Sequence, residues 1–324
     1  MRFHEFNILK EYSADTTDAE LRKEVVGLVQ KADRDGLDRV YQTLGAGDFD
    51  LRIQAALSAN DDAISVKDKL IAIINSTRGT YQEKNDFING FDRGYIDIRA
   101  LLAPSGSLET YFTGNNFAKQ VFMTASKTIV SMGVGPGEVA LAAFSPLIKF
   151  AGTSRGAGDL IIMDKVSVEV KGKVKSWGRL QDPRKSNYNS SGTRDAFEQA
   201  GLDGRLRAMS LEKWLTARQQ VEPKIRLQLS QIIISNMFRF TDPNDNKIFA
   251  QTLASGDLAA MREAWGIMSY DNYKTVSGFD GILFFNANTG ATRYINDAIE
   301  VATLKVEMPN VYGPEQEAMP KIGF

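Results

Sequence analysis

Between Gly158 and Gly172 the chain reads GDLIIMDKVSVEVKG, two short β-branched or apolar runs around Asp164-Lys165, and nothing else in the sequence restricts the fold as tightly. Runs of that length and composition predict a β-hairpin. Side chains alternate with period two along a strand, so Val166, Val168 and Val170 share one face and Ser167, Glu169 and Lys171 the other. A strict two-residue turn at 164 and 165 pairs Asp159 with Val170 and puts a carboxylate on the apolar face. A three-residue connection, 163 to 165, pairs Asp159 with Glu169 and sets Leu160 and Ile162 opposite Val168 and Val166. The second register keeps apolar with apolar and gathers Asp159, Glu169 and Lys171 on one face.

Two carboxylates and an ammonium on a half-buried strand face are costly unless paired or bound to metal. Asp159 and Glu169 suit Mg²⁺, which takes one or two protein carboxylates and fills its shell with water and phosphate oxygens. Lys171 is then placed to orient or help deprotonate an attacking water and to stabilise charge on a phosphate, and Glu138 to complete the metal shell. The rest of the composition narrows the chemistry further. There is no Cys, and the single histidine is His4, which excludes thiolate metal sites, Cys nucleophiles, Ser-His-Asp triads and HExxH metalloproteases. A hydrolase of this composition must work with carboxylates and Lys.

Along the chain, Leu21, Val25, Leu28, Val29 and Ala32, then Leu37, Val40, Tyr41 and Leu44, recur at helical spacing, and a further helix is predicted from Ser65. The loop SMGVGPGE, 131 to 138, opens into the run VALAAFSPLIKF as a helix start; its glycines fit neither phosphate-loop fingerprint. Helices are expected over Leu202–Met209, Leu211–Val221, Ile225–Phe240 and Leu258–Met268, the strip from Ile232 to Phe238 being core or an oligomer face. Strands are expected at Gly281–Phe285 and Ala291–Ile295, and irregular structure after Pro309.

Gly137-Glu138, Gly158-Asp159-Leu160 and Glu169-Val170-Lys171-Gly172, in that order, resemble the PD-(D/E)xK nuclease superfamily over about 45 residues, Gly137 to Leu180. Gly158 stands where a Pro often precedes the Asp. Two other matches to the short motif, Glu222-Pro223-Lys224 and Asp245-Asn246-Lys247, lack the apolar alternation and the partnering strand. The resemblance implies a restriction-endonuclease-like α/β (α+β) fold, an αβββαβ core with a mixed sheet flanked by helices. That core would comprise residues 116–324, with a helical insertion at about 200–270, and follow the helical N-terminal region that the apolar spacing predicts over 1–115. It also implies Mg²⁺-dependent endonuclease hydrolysis of phosphodiester bonds in DNA, with Mn²⁺ substituting. Asp159, Glu169 and Glu138 would hold the metal, and Lys171 would be the catalytic lysine.

From Lys165 to Lys185 seven basic residues face two acidic ones in a chain whose net charge is −1. Lys173, Lys175 and Arg179 are the candidates for phosphate-backbone contact, with Arg155 and Arg194 behind them. Trp177 and Tyr188 either stack on bases or anchor local packing. The chain has no apolar run of membrane-spanning length and MRFHEFNILKEYS lacks a signal-peptide pattern, so a cytoplasmic protein, or a virion-associated one if phage-encoded, is expected. Two other readings remain open: a phage-type structural or assembly protein carrying a nuclease-like core, with a homo-oligomer or particle proteins as partners, and a catalytically inactive DNA-binding protein.

Overall fold

The computed structural model describes residues 18–34, 36–37, 67–91, 93–129, 135–151, 158–172, 177–179, 190–202, 209–238, 242–307, 310–312 and 321–323. The strands in chain order are β1 (Ile148–Phe150), β2 (Leu160–Ile162), β3 (Val166–Gly172), β4 (Trp177–Arg179), β5 (Met209–Ser210), β6 (Gly281–Phe285), β7 (Thr292–Ile295), β8 (Lys305–Glu307), β9 (Asn310–Tyr312) and β10 (Lys321–Gly323). The fold is mixed α/β, and its centre is an open five-stranded sheet in the order β1-β2-β3-β6-β7. The pairs β1–β2, β2–β3 and β6–β7 are antiparallel, while β3 and β6 run parallel.

The hairpin has the three-residue connection and the register expected from its alternation: Leu160 lies opposite Val168 and Ile162 opposite Val166. Met163 and Asp164 both take left-handed backbone conformations (φ 54° and 55°), which lets two non-glycine residues close the turn. β6 is buried at every residue, which matches its unbroken apolar sequence and its place between two partners. The loop 286–290 closes the β6–β7 hairpin through the Asn286 amide on the Ala291 carbonyl.

Alternation divides the sheet into two faces. Leu160, Ile162, Val168, Val170, Leu283 and Phe285 belong to one apolar cluster with the helices Lys67–Ser76, Tyr81–Phe91, Asn116–Thr128 and Pro136–Ala143. Asn116–Thr128 shows why such segments are helical: Asn115 accepts from the Ala118 amide at its start, and Phe117, Val121, Phe122 and Ala125 lie buried along one stripe. The boundary at 115/116 falls inside this cluster, and Tyr111 donates to the carbonyl of Gly290 beside β7.

On the other face Ile282, Phe284 and Ile295 pack against Tyr270, Tyr273, Phe279, Val301 and Val306. A third cluster, from Phe197 to Met268, forms the interior of the helical segment and takes in Ile233, Ile234, Met237 and Phe238, so most of the strip read as core or oligomer face is core. The helix Leu258–Ser277 joins the second and third clusters. Asp257 caps its first turn by accepting from the Ala259 and Ala260 amides, and Gly278 closes it at φ 66°.

Several local expectations are corrected. The apolar run after Glu138 is helical only to Ala143 and then gives the edge strand β1. Met209 belongs to β5, not to a helix, and the helix ending at Met237 begins at Pro223, where a missing N–H costs no helical bond. Leu258 opens a helix that runs nine residues past Met268. The segment after Pro309 contributes β9 and β10, which pair with β5, and with β4 and β8. The helical reading over Leu37–Leu44 lies almost wholly outside the described residues. Among the described residues no helix is long and apolar enough to cross a membrane.

Candidate active site

Asp159 enters the site from the residue before β2. Continuing the hairpin register by one step sets it beside Glu169, and its Oδ2 accepts from the Val170 amide at 2.8 Å. The turn into this position depends on Gly158, whose amide donates to Ser167 Oγ at 2.7 Å. A Cβ on Gly158 would sit 2.5 Å from the backbone carbonyl of Val168, so neither Pro nor Ala fits the chain path that aims Asp159.

Glu169 and Lys171 project from β3 to the face covered by the helix Leu258–Ser277. Glu169 is 2% exposed. Lys171 Nζ donates to Glu169 Oε1 at 2.7 Å and to the Tyr273 hydroxyl at 2.8 Å, and that hydroxyl donates in turn to Glu169 Oε1. The ammonium also lies 4.9 Å from the centre of the Tyr273 ring. The result is a three-membered network around Glu169 Oε1 that pairs the buried charge with an ammonium and a phenol.

Glu138 is the third residue of the helix Pro136–Ala143, which Gly135 caps. Burial pushes its carboxyl up to about 8; Asp159 and Glu169 add to the rise, against the hydrogen bond from the Gly135 backbone and the charge of Lys171. Glu138 therefore carries its proton at neutral pH when no cation is present. The same carboxyl serves the helix start, since an acidic third residue reaching back to the capping amide is half of a capping box.

The structure thus brings Glu138, Asp159, Glu169 and Lys171 into one electrostatic neighbourhood. Among the described residues no three carboxylates already converge as a metal cage. Mg²⁺ does not require one, because one or two carboxylates with water suffice, and the donor set here is hard oxygen, with the carboxylates of Asp159 and Glu169 adding to the burial that raises Glu138. The residues present fit such an ion.

Lys173, Lys175, Arg155 and Tyr188 lie outside the described residues. Arg179 and Trp177 are placed in β4, opposite Lys321 and Gly323. Arg194 is exposed on the helix Ser190–Gln199, 3.9 Å from Asp195. The competing motif matches sit on exposed helix starts, not on strands: Glu222 is the residue before Pro223–Met237 and Asp245 lies in the first turn of Pro243–Ser255.

Tyr273 was not foreseen. Its partners lie 102 and 104 residues away, and its helix carries Ser269, Asn272 and Ser277 as buried polar residues where the apolar period expected of a core helix breaks. That break is the one local signal. No family model matches the chain, and neither does any curated protein or solved structure.

Proposed function

We propose that the chain is a divalent-cation-dependent endonuclease that hydrolyses phosphodiester bonds in DNA, on a restriction-endonuclease-like core of the PD-(D/E)xK kind. The observation that carries the reading is the register of the β2–β3 hairpin, which sets Asp159 beside Glu169 with Lys171 on the same face. Two further features support it: Glu138 is electrostatically coupled to that cluster, and helix Pro136–Ala143, β1, β2, β3, helix Leu258–Ser277 and β6 follow the order the resemblance implies once β4, β5 and the helices between β3 and Leu258 are taken as an insertion.

Asp159 and Glu169, with Glu138, would hold Mg²⁺ or Mn²⁺. When bound, the ion supplies positive charge against the developing charge of the phosphate. Lys171 Nζ donates to a phosphate oxygen or orients the attacking water, and the strand holds it two residues from Glu169 so that both act at one place. Glu138, raised by burial, would have to release its proton to solvent to serve as an oxygen ligand.

Incubation of the purified protein with supercoiled plasmid and with single-stranded DNA, in Mg²⁺, Mn²⁺ or EDTA, tests the proposal. Cation-dependent cleavage is expected, reduced about a thousandfold or more in Asp159→Ala and Lys171→Ala. Absence of cleavage by the folded wild type in every condition overturns it.

One observation favours a second reading. Glu169 is nearly inaccessible and Lys171 is engaged by Glu169 and Tyr273, as in a site retained as a buried polar network. A catalytically inactive DNA-binding protein, or an assembly protein of phage type, would carry the site in this form. DNA binding indifferent to Mg²⁺ and to Lys171→Ala identifies the former, and copurification in a large assembly without cleavage the latter.

A further inference from the structure

We propose that Tyr273 is a positioning residue of this site, a latch from the helical segment that competes with a divalent cation for Glu169 and holds Lys171 in place. The inference rests on the cation-dependent reading of the site. Tyr273 is fully buried, so its hydroxyl is directed by packing on Tyr270, Phe279 and the outer face of β6 and has little freedom to leave. That single oxygen donates to Glu169 Oε1 and accepts from Lys171 Nζ.

A cation bound through Glu169 Oε1 must compete with two donors, the ammonium and the phenol. The ammonium has a second anchor, since the Tyr273 hydroxyl accepts from it and the ring face lies beneath it. When Glu169 turns to a cation, Tyr273 is the group on this face that keeps Lys171 from swinging into solvent. Removing the hydroxyl therefore has two consequences of opposite sign: the cation meets less competition, and the lysine loses its fixed position. General loss of structure would weaken both binding and turnover.

The test is a calorimetric Mn²⁺ titration of wild type, Tyr273→Phe and Asp159→Asn, with plasmid cleavage at saturating Mn²⁺. Tyr273→Phe is expected to bind Mn²⁺ roughly tenfold more tightly, the effect of deleting one hydrogen bond to a charged oxygen. Its kcat is expected to fall roughly tenfold with KM for DNA unchanged. Asp159→Asn should lose binding. Affinity equal to or weaker than wild type overturns the latch while leaving the nuclease reading intact, and a wild-type kcat overturns the hold on Lys171. If neither wild type nor Tyr273→Phe binds Mn²⁺, the cation-dependent reading falls and the latch with it. Near-ultraviolet circular dichroism of the wild type during the titration keeps the test independent of the variant's folding. The tyrosine signal should change with the binding midpoint, and a flat signal overturns the proposal.

Discussion

Val168 and Val170 occupy one face of β3, Glu169 and Lys171 the other, and the two faces are held by different physics. The valines join an apolar cluster that extends from Leu70 to Tyr294, where burial alone is favourable. The charged pair lies under a helix on the opposite face, where burial is unfavourable and is offset in part by the network with Tyr273. The apolar face sets the register, and the charged face inherits its geometry from it. A slip of one residue between β2 and β3 would set Asp159 opposite Val170 and send its carboxylate into the apolar cluster.

The strongest test of that contrast removes one charge. Lys171→Ala leaves Glu169 buried without its cation and is expected to cost about 3–5 kcal/mol in urea unfolding. Replacing the whole network, Glu169→Leu with Lys171→Met and Tyr273→Phe, should restore wild-type stability or exceed it by about 1–4 kcal/mol while leaving no cleavage. Failure to recover would mean that the polar face contributes to stability in its own right.

On the opposite face Leu283→Ala, beside Val170, is expected to cost about 2–5 kcal/mol, with kcat per folded molecule unchanged. A lowered kcat would show that the two faces are coupled through the strand.

An effect of another kind, spread over several pH units, concerns Glu138, whose carboxyl burial pushes up to about 8 from an ordinary value of 4.5. Below about 4.5 both folded and unfolded chains hold the proton and the contribution to stability is complete. As pH rises toward 8 the unfolded chain releases its proton first, so stability in EDTA should fall by up to roughly 1.4 kcal/mol per pH unit. Glu138→Gln should flatten that slope, and an unchanged slope would remove Glu138 from the shared electrostatic field.

The hairpin was legible because the alternation of apolar and charged residues and a three-residue turn admit one register, and from it followed the neighbourhood of Asp159, Glu169 and Lys171. β6 and β7 were legible because five buried residues in a row and an Asn-rich, Gly-ended loop read as a hairpin. β1 was not, since three residues at a sheet edge, behind an apolar helix and a Pro, carry no alternation of their own. β9 and β10 are equally short and depend on partners far away in sequence. The helix from Leu258 was read only to Met268 because beyond it the buried face turns polar, with Ser269, Asn272 and Tyr273. Tyr273 is the part of the site that local pattern could not give. What defines it is a contact between distant segments.

The parallel pairing of β3 with β6 has a kinetic consequence. β2 and β3 can find each other locally, whereas Lys171 meets Tyr273 only after 102 residues have closed a loop and the helix before β6 has docked. Until then the charged edge of β3 remains hydrated and unattractive to other strands, as charged edges generally are. Recovery of the network should accordingly be among the last events of refolding.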